Sequence, residues 1–277
     1  AYLLWKHLIY PFVYDLQPKP SILPLPQQLK WEEGYFPLFN CKSILVKEVF
    51  FKGEAYKLQN LLAEKGLNVD IVSKQSSAEP FIELRFDPLI KGEEIYKLEV
   101  TSNLITVSAS TSHGIFNGIQ TLDRLMRDGS FVDACKITDW PAFSWRGYMV
   151  DAARNYQSIQ LLKQQIEIMS KYKLNIFHFH ITEDIAWRLA VKQYPQLTAE
   201  DNMLRNRGRY YSEADMNELI SFCKERYITF IPEIDMPGHS AAFTRGMKTD
   251  MQSDSGVVIV KNILKEFCAT YDLPYIH

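Results

Sequence analysis

Apolar and polar residues alternate in short runs through the first half of the chain. SILVKEVF (43–50), FIELRF (81–86), IYKLEVT (95–101) and LITVSAS (104–110) are β-branched or follow a period of two, which predicts strands. Only Ser102 and Asn103 separate the last two, so a tight hairpin is expected there. Two helical segments interrupt the strands. In AYKLQNLLAEKG (55–66), Leu58, Leu61 and Leu62 share a face, and Gly66 supplies the stop. From Thr111 onward, Ile115, Ile119, Leu122 and Met126 recur at spacings of four, three and four. Hairpinned strands with helices to one side predict an α+β domain over residues 21–139, and no catalytic constellation stands out in it.

DWPAFSWRG (139–147), punctuated by Pro141, marks a hinge, and the rhythm changes after it. RGYMVD (146–151), LNIFHFHI (174–181) and ITFIPEID (228–235) are nearly continuous apolar runs, read as strands. Helical patterns separate them. Ser158 caps one with Ile159, Leu162, Ile166 and Met169 inward. Ser212 and Asp215 carry the signature of a capping box ahead of Met216, Leu219, Ile220 and Cys223. A third helix holds Val260, Ile263, Leu264 and Phe267, and PYIH (274–277) is expected to begin another strand. Apolar strands alternating with helices predict parallel βα units buried on both faces over residues 140–277. The fold class is therefore α/β, an α+β domain followed by parallel βα units.

In parallel βα folds, chemistry collects where strands end and loops begin. Around the first strand stand Arg146, Asp151 and Arg154; the second ends in His178, His180, Glu183 and Asp184; the third ends in Glu233, Asp235 and, after a Pro-Gly turn, His239. Asp235 follows an apolar run, and the turn would bring His239 back toward the sheet. A carboxylate so placed can accept from sugar hydroxyls or hold an imidazole in one tautomer. Arg146 fits a substrate anchor through its planar fork, or equally an ion pair with Asp151 or Asp184. His178 and His180, two apart, face the same way on a strand. They suit either a metal pair completed by Asp235 or His239, or interior histidines bonded to carboxylates.

Composition narrows the class. The chain has 277 residues, is 47% hydrophobic and carries a formal charge of −2, which allows a large core and argues against a nucleic-acid partner. Cys41, Cys135, Cys223 and Cys268 include no CxxC pair and are expected as buried free thiols. The opening AYLLWKHLIYPFVYDLQPKP (1–20) is broken by Lys6, His7 and Pro11, short of the ~20 apolar residues of a membrane span. It is read as a signal-peptide remnant, which leans toward a periplasmic or secreted location and otherwise leaves the compartment open.

WRGYMVDAARNYQS, NIFHFHITEDIAWRLAVKQYPQLT and ITFIPEIDMPGHSAAF resemble the first three strand ends of glycoside hydrolase family 20, the β-N-acetylhexosaminidases. Upstream, ILPLPQQLKWEEG and YKLEVTSNLITVSASTSHGIFNGIQTL resemble the family's non-catalytic α+β domain. The resemblance implies a (β/α)8 TIM-type barrel, represented here by its first half, strands one to four. It implies removal of terminal N-acetylhexosamine from glycans by retaining catalysis, in which the substrate's own acetamido oxygen attacks the anomeric carbon. The partner would be a glycan, with no cofactor and no metal. By motif position Arg146 and Asp235 would bind substrate, and Glu183 and His239 would form a relay toward the catalytic acid. His178 and His180 would be packed support. The family's catalytic Asp-Glu pair follows the strand begun by PYIH, so it is expected beyond His277, with the 277 residues a fragment of a longer enzyme and inactive alone. A metal-dependent barrel hydrolase using His178 and His180, and a glycan-binding protein without catalysis, stand as alternatives.

Overall fold

Seven strands form one mixed sheet in the first of two units, Ala1–Ala142, in the order β1-β7-β5-β6-β4-β2-β3. The structure, a computed structural model, describes residues 18–75, 78–126 and 130–277; the leader expected at 1–20 lies, up to residue 17, outside the described residues. The strands are β1 (Gln28–Pro37), β2 (Ser43–Val46), β3 (Asp70–Val72), β4 (Phe81–Phe86), β5 (Tyr96–Val100), β6 (Leu104–Ala109) and β7 (Phe131–Asp139). The β5–β6 hairpin forms, with Val100 opposite Ile105. Hairpins are only part of the topology, because β3, β2, β4 and β6 run parallel to one another. β2 ends at Val46 rather than Phe50, since Val49–Phe51 coils into a 3-10 turn that feeds the first helix.

Helices α1 (Lys52–Glu64) and α2 (Ser112–Leu125) pack on this sheet and on each other. Thr111 caps α2 by accepting from the Gly114 amide, and Ile115, Ile119 and Leu122 are buried beneath it. α2 lies so close to the strands that a Cβ at Gly118 would sit 2.4 Å from a Val107 methyl. Glycine makes that approach available.

The second unit, Phe143–His277, is a three-stranded parallel sheet, β8 (Gly147–Asp151), β9 (Ile176–His180) and β10 (Thr229–Glu233), with β9 central. Between and after the strands come α3 (Ile159–Lys171), α4 (Glu213–Lys224), α5 (Ala241–Met247) and α6 (Asp254–Thr270). Ser158 and the Ser212–Asp215 capping box start α3 and α4 at the expected positions. Val150, Phe177, Phe179 and Phe230 pack with Leu162, Ile166, Met216, Leu219 and Ile263 in one core.

Burial on both faces holds only in part. The alternation that sends Phe177 and Phe179 to the helices sends Met149, His178, His180, Ile231 and Glu233 to the other face, where His180, Ile231 and Glu233 are buried but Met149 is half exposed. The sheet does not close into a barrel. PYIH forms no strand, although the His277 amide donates to Pro232 O at 2.9 Å and the Ile234 amide to His277 O at 3.0 Å. Cys41, Cys135 and Cys223 are buried thiols, whereas Cys268 falls on the exposed side of α6. Among the described residues no helix is long and apolar enough to cross a membrane.

Candidate active site

Parallel register sets the site. Asp151, His180 and Glu233 pair across β8, β9 and β10 as one row at the strand ends, and Met149, His178 and Ile231 form the row before it. Residues of one row share a face, so the face away from the helices gathers both histidines around Glu233. Glu233 Oε2 accepts from His178 Nε2 at 2.5 Å and from His277 Nδ1 at 2.7 Å, and Oε1 pairs with His180 Nδ1. Burial drives the Glu233 carboxyl upward, but the imidazoles of His180 and His178 outweigh it and hold the group below the usual carboxylate range.

This arrangement bears on the metal alternative. His178, Glu233 and His277 present donor atoms within 4.8 Å of one another, as do His180, Glu233 and Asp235, a donor set that suits a divalent cation. Glu233 already pairs with the imidazoles of His178, His180 and His277, while His180 Nε2 is left buried and unpaired. His239 does not join them; it groups with Glu183 and Asp184. Below this cluster, toward the strand starts, Trp145, Gly147, Met149, Ile231 and His277 line a cavity of ≈300 Å³.

The charged rim lies past the strand ends. Arg154, in the turn after β8, donates Nη1 to Asp151 at 2.6 Å and Nη2 to Glu183. His239 Nδ1 also contacts the Glu183 carboxylate and comes within 3.4 Å of Arg154 Nη2. Glu183 is only 2% exposed, while Arg154 is 45% and His239 49% exposed, so one enclosed carboxylate anchors two groups that face solvent. The hydrogen bond that Arg154 donates to Asp151 raises its guanidinium above the ordinary value, keeping it charged.

Local structure explains how these groups meet. After β9 the chain doubles back through a Thr182–Trp187 bridge, with the Glu183 amide bonded to Ala186 O, which turns Glu183 inward. Asp184 accepts from the Ala241 amide at 2.9 Å and so holds the first residue of α5 against this loop. His239, two residues earlier, adopts a left-handed backbone (φ 49°), an uncommon conformation for a non-glycine. Asp235 donates its amide to Thr182 Oγ1 at 2.9 Å, placing its carboxylate beside His180 and Glu233.

The expectation for Arg146 requires correction. Arg146 precedes the first residue of β8, at the start of the strand, and donates Nε to Lys173 O and Nη1 to Phe143 O, each at 2.7 Å. Lys173 lies in the turn entering β9, so Arg146 sits at the sheet end opposite Glu183, Asp235 and His239. A parallel strand of five residues separates its two ends by roughly 15 Å. Arg154 occupies the rim instead. The signal was present: Arg154 follows the strand-ending Asp151 by three residues, where the C-terminal end of a parallel strand carries its functional groups. Glu233 also lacked an expected role, because only cross-strand register shows it meeting His178 and His180.

Two family models match consecutive stretches: glycosyl hydrolase family 20, domain 2, over residues 19–140, and glycosyl hydrolase family 20, catalytic domain, over residues 143–276. A beta-hexosaminidase of Porphyromonas gingivalis is 33% identical, the match taking in 80% of this chain and 31% of that protein. One of Vibrio furnissii is 36% identical over 82% of this chain and 39% of that protein. The crystal structure of a beta-N-acetylhexosaminidase from Bacteroides fragilis superposes with a TM-score of 0.80 at 28% identity, covering 92% of this chain and 56% of that one. The chain thus spans about a third of the length of these two curated relatives.

Proposed function

The chain belongs to glycosyl hydrolase family 20, and from that premise we propose that it forms the substrate-anchoring part of an enzyme that removes terminal N-acetylhexosamine residues from glycans. Residues 21–139 act as the non-catalytic α+β domain, and 140–277 supply the opening βα units of a (β/α)8 barrel. The names of the relatives, beta-hexosaminidases and a beta-N-acetylhexosaminidase, support the substrate class.

The observation that carries this reading is the junction of Arg154, Glu183 and His239 at the strand-end rim, with Asp235 beside it. Arg154 takes the substrate-binding role first expected of Arg146. Guanidinium has five N–H donors, and Asp151 and Glu183 occupy only part of them, so donors remain for sugar hydroxyls. Asp235 accepts from further hydroxyls. Glu183 fixes the orientation of His239, whose other ring nitrogen then faces the reaction centre as a relay. Catalysis in this reading is retaining and substrate-assisted, the acetamido oxygen of the sugar taking the place of an enzyme nucleophile. Acid catalysis is assigned to none of these residues.

Release of a chromophore from an N-acetyl-β-glucosaminide by the protein that carries this chain tests the proposal. Hydrolysis slowed at least about 10²-fold by Glu183→Gln is expected. Hydrolysis that requires stoichiometric zinc and disappears with His178→Ala would replace it with the metal-dependent reading.

A further inference from the structure

Arg188 takes no part in the rim, yet it is 0% exposed, with its guanidinium 5.9 Å from the Tyr156 ring centroid and its N–H groups turned to backbone carbonyls. Its Nε donates to Ala153 O at 2.9 Å. Nη1 donates to Arg209 O at 2.6 Å and Asn206 O at 3.3 Å, with Met203 Sδ at 3.6 Å, and Nη2 donates to Arg205 O at 2.9 Å. These hydrogen-bond partners are carbonyl oxygens and a thioether, with no carboxylate among them. Burial accordingly lowers the pKa of the group. A buried charge without a counter-ion is costly, so a guanidinium here must do what a packed apolar side chain cannot.

What it joins is informative. Ala153 immediately precedes Arg154, and Arg205, Asn206 and Arg209 belong to the loop that runs from α5's neighbour Asn202 toward α4. The same loop grips the turn elsewhere: Asn206 Oδ1 accepts from the Tyr156 amide at 3.2 Å, and Arg205 Nη1 donates to Asn155 Oδ1 at 3.0 Å. From the sheet side, His180 O accepts from the amides of Ala152 and Ala153 at 3.0 and 3.2 Å. The Ala152–Tyr156 turn is thus held between β9 and the 203–209 loop, and Arg188 is the fork that ties the loop's converging carbonyls to the turn. Lysine offers one point charge and cannot span carbonyls on two segments in this way.

We infer that Arg188 is a positioning residue for substrate binding, acting through Arg154: by clamping Ala153 O to the carbonyls of 205, 206 and 209 it fixes where the Arg154 guanidinium meets the sugar. The inference rests on the assignment of Arg154 to sugar binding. Binding that is equal in ground and transition states appears in KM and not in kcat. Arg188 therefore shows itself as a KM effect that exists only while Arg154 is present.

The test uses the protein that carries this chain, with Arg188→Lys, Arg154→Ala and the double variant, read by kinetics on the chromogenic glucosaminide and by hydrogen exchange. Arg188→Lys is expected to raise KM about tenfold, the worth of one charge-assisted hydrogen bond, with kcat within about threefold. Exchange should quicken at 152–157 and 203–209 alone, and Arg188→Lys should add nothing to the KM of Arg154→Ala. Asn206→Gly, which keeps the left-handed backbone of Asn206 (φ 49°) and removes only the bond to Tyr156, should raise KM less and in the same direction, a second route should Arg188→Lys not fold. An unchanged KM, a KM effect that multiplies with Arg154→Ala, or faster exchange throughout the unit overturns the inference while leaving the glycosidase reading intact. A wild-type protein that hydrolyses no hexosaminide overturns both.

Discussion

Glu183→Gln alters one atom in the most enclosed group of the rim. In the native side chain Oε1 accepts from Arg154 and His239, and Oε2 accepts from the Asp184 amide. Glutamine has one oxygen to offer. With that oxygen toward Arg154 and His239, its NH2 faces the Asp184 N–H; turned around, the NH2 faces a guanidinium. Either orientation leaves a donor unpaired at a carboxylate site that is 2% exposed, costing about 1–3 kcal/mol. The lower part of that range applies, because Arg154 and His239 are each about half exposed and can turn to water. The expected stability loss is therefore small, a few degrees in Tm. The kinetic loss is larger. His239 without its carboxylate partner loses its fixed orientation, and kcat should fall roughly 10²- to 10⁴-fold with KM changed only a few-fold. Steady-state kinetics alongside thermal unfolding separates the two quantities. A kcat within about threefold of wild type would refute the relay, and a shift confined to KM would move Glu183 into the binding role.

Arg154→Ala should give the converse signature, KM raised roughly 10- to 100-fold with kcat little changed, since it removes hydroxyl contacts made before and during reaction. Arg146→Ala should leave KM alone and lower stability by about 1–2 kcal/mol through loss of its bonds to the Phe143 and Lys173 carbonyls, measurable by urea unfolding; a KM effect as large as that of Arg154 would contradict its place at the strand starts. The Glu233 carboxyl lies below its ordinary value of 4.5, so its contribution to stability is present above that value and is lost as pH falls through the depressed one; Glu233→Gln should flatten the acid limb of a stability–pH profile, and an unchanged limb would contradict the His178–Glu233–His180 network. Gly256→Ala would set a Cβ 1.9 Å from Asp250 O at the start of α6, and a loss of about 1–3 kcal/mol is expected in thermal unfolding, against none if the helix start can shift freely.

Local chemistry made most of the second unit legible. The Ser158 cap, the Ser212–Asp215 box and the long apolar runs mark where α3, α4, β8, β9 and β10 begin and end, because each depends on residues close in sequence. β1 was harder to see. Its LKWEEGY stretch is polar for a strand, and a bulge between Trp31 and Tyr35, eased by Gly34 at φ 91°, breaks the alternation. The parallel pairing of β2, β4 and β6 depends on contacts between distant segments that no local pattern records. The same distinction runs through the site. Strand ends nominated Glu183, Asp235 and His239, whereas the choice between Arg146 and Arg154 turned on strand polarity, which places the two arginines at opposite ends of β8. Nothing local marks Arg188 for burial; it is legible only once the 203–209 carbonyls close around it.

The most direct measurement is a structure of the protein that carries this chain with N-acetylglucosamine bound. The sugar should lie against the strand-end rim, with ring hydroxyls hydrogen-bonded to Arg154 and Asp235, and with Glu183 still joined to His239 behind it. A sugar seated at the strand starts beside Arg146, or one whose hydroxyls touch neither Arg154 nor Asp235, would contradict the account.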